Sequence, residues 1–235
     1  TEYRRYPGLA AARLQPFVPR YTRKDISQLA TQYDLIIVGA GPAGIFTAME
    51  MLRLGSKQKI LLIEKGLPVE KRHCPKSETG HCVNCRRGCS ITTGFSGAGA
   101  FSDGKLSLSY EVGGDLPDLI GADFAQELIN YTDKIYLEFG ADPHIEGIGN
   151  NDEIKEIRKN AIKAGLKLVD CPIRHLGTEK AQKLYYDIQV WLMEHGVDMM
   201  FSANCDNIIL DGDVCRGVIV REGDTEKEIR AGRVV

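Results

Sequence analysis

Apolar and polar positions along the chain change period repeatedly, and each change predicts an element. Leu35–Val38 is a short, continuously apolar run of aliphatic and β-branched residues that stops at glycines, as a strand buried on both faces does. From Ala43 to Leu54 the apolar residues Ile45, Ala48, Met49 and Leu52 recur at helical spacing, and Gly55 supplies a stop. A second buried strand, Ile60–Ile63, then delivers Glu64. Strand, helix and strand in this order predict a parallel βαβ unit.

The pattern then breaks. KGLPVEKRHCPKSETGHCVNCRRGCSITTG is poor in apolar residues and reads as a long loop. GFSGAGAFSDGKLSLS, residues 94–109, continues as a glycine-rich loop and ends in the alternating strand pattern Lys105–Ser109. Residues 115–167 show helical spacing, first in Phe124, Leu128, Ile129, Ile135 and Leu137, then in Ile154, Ile157, Ala161 and Ile162, and are expected to form an inserted substrate or cap layer. LVDCPIRHLGTEKAQ places Arg174, His175, Gly177 and Thr178 in a loop, with Thr178 as N-cap of a helix to about Met193. From Asp198 a β-meander is expected, with turns at Asp211-Gly212 and Glu222-Gly223, and AGRVV at the end reads as the start of a new apolar strand. That start predicts a chain belonging to something longer.

The expected class is therefore α/β: a Rossmann-like fold with a parallel sheet, a β-meander and an inserted helical cap. The divisions fall at 1–32 (an arm or the remnant of a preceding domain), 33–110 (the βαβ core with its loops), 111–197 (the helical region) and 198–235 (the meander and a return strand).

Composition narrows the function. At 235 residues and 43% hydrophobic content the chain can bury a sizeable core. Lys+Arg 30 against Asp+Glu 32 gives a net charge of −2, so no global field recruits nucleic acid or an anionic membrane, although Arg4, Arg5, Arg13, Arg20, Arg23 and Lys24 make the lead-in basic. No apolar stretch is long enough to span a bilayer and the N-terminus lacks a signal-type apolar region, which leads to the expectation of a cytoplasmic protein.

Candidate chemistry begins with Gly39, Gly41 and Gly44, spaced G-x-G-x-x-G between strand and helix. The first permits a tight turn, the second leaves room for a pyrophosphate against the backbone, and the third lets helix and strand pack closely. Pro42 and Ala43 lie between them at the positive end of the helix dipole, which favours phosphate. Glu64, 25 residues beyond Gly39, stands where a carboxylate accepts hydrogen bonds from ribose hydroxyls, and Lys65 follows it. These features do not separate NAD from FAD. In the loop rich in Gly97, Gly99, Ser102, Asp103 and Gly104, the backbone can approach a flat or phosphorylated ligand, against the alternative of a flexible surface turn. Arg174 and His175 are candidates to bind an anionic substrate or move a proton, or are simply structural. Four of seven cysteines cluster between Cys74 and Cys89, namely Cys74, Cys82, Cys85 and Cys89, with His73 and His81 adjacent. Three readings stand: an iron–sulfur or zinc site, a redox-active Cys82/Cys85 pair, or inert thiols. Arg72, Lys76, Arg86 and Arg87 are expected to lower the thiol pKa values.

The passages DLIIVGAGPAG, Glu64-Lys65, GFSGAGAFSDGKL, RHLGTEK and CDNIILDGDVCRGVIV resemble flavoproteins of the glutathione-reductase type, and in detail the bacterial and archaeal NAD(P)/FAD-dependent oxidoreductases. The resemblance covers residues 33–235. It implies FAD, with Gly39, Gly41 and Gly44 at its pyrophosphate, Glu64 on its ribose, the Gly97–Lys105 loop near the flavin, and the backbone of Cys205 near the adenine. It also implies a return strand running into a glycine-containing loop and helix beyond AGRVV. An oxidoreductase follows, passing hydride or electrons between a nicotinamide nucleotide and an unknown acceptor, either a small molecule or an electron-carrier protein. Lys105 would stabilise charge on the reduced ring and His175 would supply a proton. The other class of function is a nucleotide-binding module without turnover, such as a dinucleotide sensor or a tRNA-modification partner using the basic arm.

Overall fold

The computed structural model describes residues 24–85, 88–99, 101 and 104–235, without the side chains of Thr178 and Glu179. Arg86, Arg87, Ser102, Asp103 and the first 23 residues of the arm, all named above, lie outside it. The elements are β1 (Gln32–Val38), α1 (Pro42–Arg53), β2 (Ile60–Glu64), α2 (Lys76–Thr79), β3 (Lys105–Ser107), α3 (Leu116–Ile120), α4 (Ala122–Glu138), α5 (Asn151–Lys163), β4 (Ile173–His175), α6 (Thr178–Glu194), β5 (Asp198–Phe201), β6 (Asn204–Asp211), β7 (Val214–Glu222) and β8 (Thr225–Val234).

Among the described residues one sheet runs in the order β5-β2-β1-β8-β7-β6. β1 is parallel to β2 and β8, and β2 is parallel to β5, whereas β6, β7 and β8 form the antiparallel meander. Successive strand residues point to opposite faces, and both faces are buried. Leu35, Ile37, Ile60, Leu62, Met199 and Phe201 meet α1, α4 and α6 on one side. Ile36, Leu61, Ile63 and Met200 meet Val218, Val220, Ile229 and Ala231 of the meander on the other. This double burial explains why β1 and β2 read as continuous apolar runs rather than alternating ones.

The sheet cannot be flat. Laid out at about 4.8 Å per strand, its outer members would stand about 24 Å apart, yet only Ser202 and Ala203 separate β5 from β6. So short a link spans about 11 Å at most, so the meander must fold back over the parallel strands. Ser202, with φ 56°, makes the crossing. AGRVV is not a new strand: residues 231–234 continue β8, whose early part pairs with β7 and whose later part pairs with β1, Ala231 opposite Tyr33 and Val234 opposite Ile36.

Helices α4 and α6 share a core with α1 through Ile135, Tyr136, Leu184, Tyr185 and Ile188, so they form the helical layer of the sheet itself. Helix α5 buries none of its residues. The RHLGTEK stretch is partly extended: Ile173–His175 form β4, antiparallel to β3, and α6 begins at Thr178 with Gly177, not Thr178, at the N-cap position. Of the predicted arm, Ile26 and Leu29 pack into the meander-side core, and the Lys227 ammonium donates to both their carbonyl oxygens at 3.0 and 2.8 Å. Among the described residues no helix is long and apolar enough to cross a membrane.

Tyr33 closes the same side. Its hydroxyl donates to Asp198 at 2.8 Å, joining β1 to β5 across β2, and burial together with that carboxylate pushes the phenol pKa well up. Tyr33→Phe is expected to lower unfolding free energy by about 1.5 kcal/mol, as loss of a hydrogen bond to a charged acceptor does, read by urea denaturation.

Candidate functional site

The turn from β1 into α1 shows three glycines with three different physical reasons. Gly39 has φ +106°, a region favouring glycine, and its N–H donates to Ile63 O at 2.8 Å. A Cβ on Gly44 would lie 2.0 Å from Gly39 O and 3.1 Å from Ile37 Cγ2, so no other residue fits. Gly41 differs from both. Its φ of −74° and ψ of 178° suit any residue, and among the described residues a Cβ there would meet nothing within 4 Å. Neither backbone nor packing requires glycine at Gly41; the space is open toward the start of α1. There Pro42 has no N–H, and the N–H groups of Ala43 and Gly44 lack intrahelical acceptors.

Glu64 braces this turn. It is 6% exposed, with one carboxylate oxygen accepting from Ala40 N–H at 2.9 Å and the other from Gly66 N–H at 2.8 Å. Each oxygen retains a lone pair for a sugar hydroxyl. Lys65, beside it, points to an exposed position.

The glycine-rich loop arrives at the same place. Ser96 N–H donates to Ala40 O at 2.7 Å, and a Cβ on Gly97, at φ +60°, would stand 3.8 Å from Gly41 Cα and Pro42 Cδ. The organiser of this loop is Arg72, which the sequence pattern presents only as a charge near thiols. Its guanidinium donates to the carbonyl oxygens of Ser90 (2.9 Å), Ile91 (2.8 Å), Phe95 (2.6 Å) and Gly97 (2.6 Å) and to Ser96 Oγ (3.3 Å). It also lies 4.1 Å from the centre of the Phe101 ring. Burial lowers its pKa to about 10, with the Glu64 charge acting in the opposite direction. No local spacing signals such a fork, because its acceptors are backbone atoms 18 to 25 residues away.

Gly99 and Gly104 have internal reasons for being glycine. A Cβ on Gly99 would approach Tyr185 Oη to 3.2 Å, and one on Gly104 would crowd Leu176 Cβ (3.2 Å) and Gly177 N (3.3 Å). β3 and β4 then form a two-stranded ribbon in which Lys105 stands directly opposite His175, and Leu106 opposite Arg174. Opposed residues share a face. The Lys105/His175 face is exposed, and His175 Nδ1 lies 3.0 Å from Glu146 Oε1. The other face buries Arg174, which grips Asp133 at 2.6 and 2.7 Å and Asp142 O at 2.5 Å. Arg174 is thus committed to tying β4 to α4 and does not offer itself to an anionic substrate. Cys205 lies in β6 opposite Val220, two residues after Ala203, whose N–H donates to Glu64 O at 3.1 Å. Its thiol pKa is pushed up by burial and by Asp206.

The cysteine cluster does not assemble as a metal cage. Cys74, Cys82, Cys85 and Cys89 are free thiols, Cys82 and Cys89 exposed, and among the described residues no three His, Cys, Asp or Glu side chains gather to hold an ion. α2 and the left-handed Gly80 are interposed between Cys74 and Cys82, and His73 faces Glu78 at 3.0 Å. The Cys89 thiol does fall below its usual range, but chiefly through the N–H groups of Ile91 and Thr92, with Arg72 the smallest contributor. Separately, an apolar pocket of ≈ 220 Å³ opens between β3 and α4, lined by Leu106, Leu108, Leu128 and Ile129 among others and by no residue of the glycine turn.

No family model matches the sequence. Over 127 residues, 52% of this chain, it is 34% identical to an uncharacterized protein of Clostridium beijerinckii, of which it covers 23%. In fold it is similar to 3-ketosteroid-Δ4-(5α)-dehydrogenase from Rhodococcus jostii RHA1, with TM-score 0.53 and 15% identity over 89% of this chain and 46% of that one. L-amino acid deaminase from Proteus vulgaris aligns with TM-score 0.47 and 14% identity, over 88% of this chain and 47% of that one. The chain spans about half the length of these solved structures and a smaller share of the Clostridium relative. The likeness to the dehydrogenase shows a shared Rossmann-like α/β fold.

Proposed function

We propose that this chain binds FAD and forms the cofactor-holding part of an oxidoreductase. The observation that carries the reading is the open space at Gly41, a glycine with an ordinary backbone at which an added Cβ would meet nothing within 4 Å among the described residues. It lies at the N-terminus of α1, is walled by Gly97, and sits next to a turn braced by Glu64. A diphosphate fits that cradle, with Ala43 and Gly44 N–H groups and the helix dipole facing it and Glu64 accepting from ribose. FAD, rather than a nicotinamide nucleotide, is favoured by the resemblance carried in GAGAFSDGKL and RHLGTEK. When bound, the flavin supplies hydride or single-electron transfer, and the protein supplies position and electrostatics.

This chain's own contribution beyond the cradle lies on the β3/β4 ribbon. There the Lys105 ammonium stabilises negative charge on a neighbouring acceptor, and His175, oriented by Glu146 at Nδ1, delivers a proton from Nε2. A nicotinamide nucleotide serves as reductant, and the acceptor is a small molecule or an electron-carrier protein in the cytoplasm. No metal enters the reading.

The test is an absorption spectrum of the chain after incubation with FAD and gel filtration. Retained flavin bands that bleach on anaerobic addition of NADH or NADPH are expected. Glu64→Ala is expected to weaken FAD binding about tenfold or more, in line with charge-assisted hydrogen bonds of about 1.5–3 kcal/mol. A colourless protein that keeps its hold on ADP-ribose would replace the oxidoreductase reading with a nucleotide-binding module.

A further inference from the structure

Arg72 is 5% exposed, yet among the described residues no carboxylate lies within ion-pair distance of it. A buried cation ordinarily requires a counter-charge. This one is instead matched by backbone carbonyl oxygens, and all of them belong to a single stretch of chain, Ser90 to Gly97. Only a planar fork can serve so many acceptors at fixed angles while stacking on a ring; an ammonium has three donors and no plane.

The stretch needs such a restraint. Ser96 is wholly buried with φ +75°, a conformation unfavourable for a residue with a side chain. One guanidinium nitrogen of Arg72, Nη1, faces three acceptors around it, Phe95 O, Ser96 Oγ and Gly97 O, while Nε and Nη2 hold Ser90 O and Ile91 O. The same stretch also contacts the glycine turn, Ser96 N–H bonded to Ala40 O and Gly97 set against Gly41 and Pro42. The guanidinium therefore lies one backbone layer behind the space left open at Gly41.

We propose that Arg72 is a positioning residue of the dinucleotide site, whose guanidinium holds the Ser90–Gly97 stretch as a wall beside the diphosphate position. The inference rests on the reading of Gly41 and Glu64 as a dinucleotide cradle. It makes a specific demand: ligands carrying the diphosphate depend on Arg72, and ligands reaching only the Glu64 end do not.

The test is a titration of the full chain with adenosine, ADP and FAD, comparing wild type with Arg72→Lys. The substitution keeps the charge and removes the fork. ADP and FAD are expected to bind about tenfold more weakly, the equivalent of one or two hydrogen bonds, with adenosine unchanged. Unchanged ADP and FAD affinities would overturn the proposal, as would an equal loss for adenosine, because that pattern means general damage to the fold. Where Arg72→Lys fails to fold, Phe101→Leu removes the stacked ring and leaves the fork. It is expected to show the same split at about threefold, the scale of one cation–π contact, and absence of the split overturns the proposal. A wild-type chain with no affinity for ADP would overturn the cradle reading as well, which separates the two failures.

Discussion

Gly41→Val is expected to leave the chain folded and to remove dinucleotide binding. Among the described residues the new Cβ meets no atom within 4 Å, and φ −74°, ψ 178° is extended backbone that valine adopts readily. Valine is a poorer N-cap than glycine, which costs up to about 1 kcal/mol. The ligand, however, loses the space against the backbone that the second glycine leaves for a pyrophosphate. A fall in FAD affinity of at least about 1,000-fold is expected, about 4 kcal/mol at 1.36 kcal/mol per tenfold. Flavin content after purification and an FAD titration read the binding, and a thermal melt within a few degrees of wild type reads the fold. Full flavin occupancy in the Val variant would remove the basis for the proposed function.

Three residues on, the opposite outcome is expected. In Gly44→Ala the methyl would stand 2.0 Å from Gly39 O, an approach side chains do not tolerate, with Ile37 Cγ2 at 3.1 Å closing the other side. Neither neighbour yields easily. Gly39 is held by its N–H bond to Ile63 O, and Ile37 is 1% exposed in the core. Ordinary overpacking costs about 1–3 kcal/mol. Here a backbone carbonyl must move, so about 4 kcal/mol or more is expected, a large part of the about 5–15 kcal/mol that stabilises a domain. Urea denaturation measures it. A variant with wild-type stability would show that α1 does not pack on β1 as described. Together the two substitutions separate glycine kept for a ligand from glycine kept for the fold, within one turn.

The remaining functional geometry divides along the same line between local and distant causes. The β1–α1–β2 unit was legible because its signals are short-range: a buried strand, a helical period and a glycine turn all declare themselves within a few residues. The meander was legible from Gly212 and Gly223 at its turns. Of the β3/β4 ribbon only β3 was legible, from the alternation over Lys105–Ser109; β4 was read as loop, since a strand of three residues carries no usable period. Arg174 and His175 are adjacent in sequence and looked alike as candidates. Strand alternation sends one inward to the half-buried Asp133 carboxylate and the other to the surface. The cysteines show the limit of spacing as a guide, because close spacing permits convergence on a metal but does not compel it, and here α2 and Gly80 intervene.

From residue order alone came the α/β class, the glycine turn and the acidic residue at the end of β2, because helix, strand and turn preferences act over one or two turns of chain. Folding alone decided that Gly97 would stand beside Gly41, that Lys105 would face His175, and that Arg72 would gather the carbonyls between them. Those relations depend on which distant surfaces bury together, and burial of the two sheet faces by α1, α4 and α6 on one side and the meander on the other is a property of the whole chain.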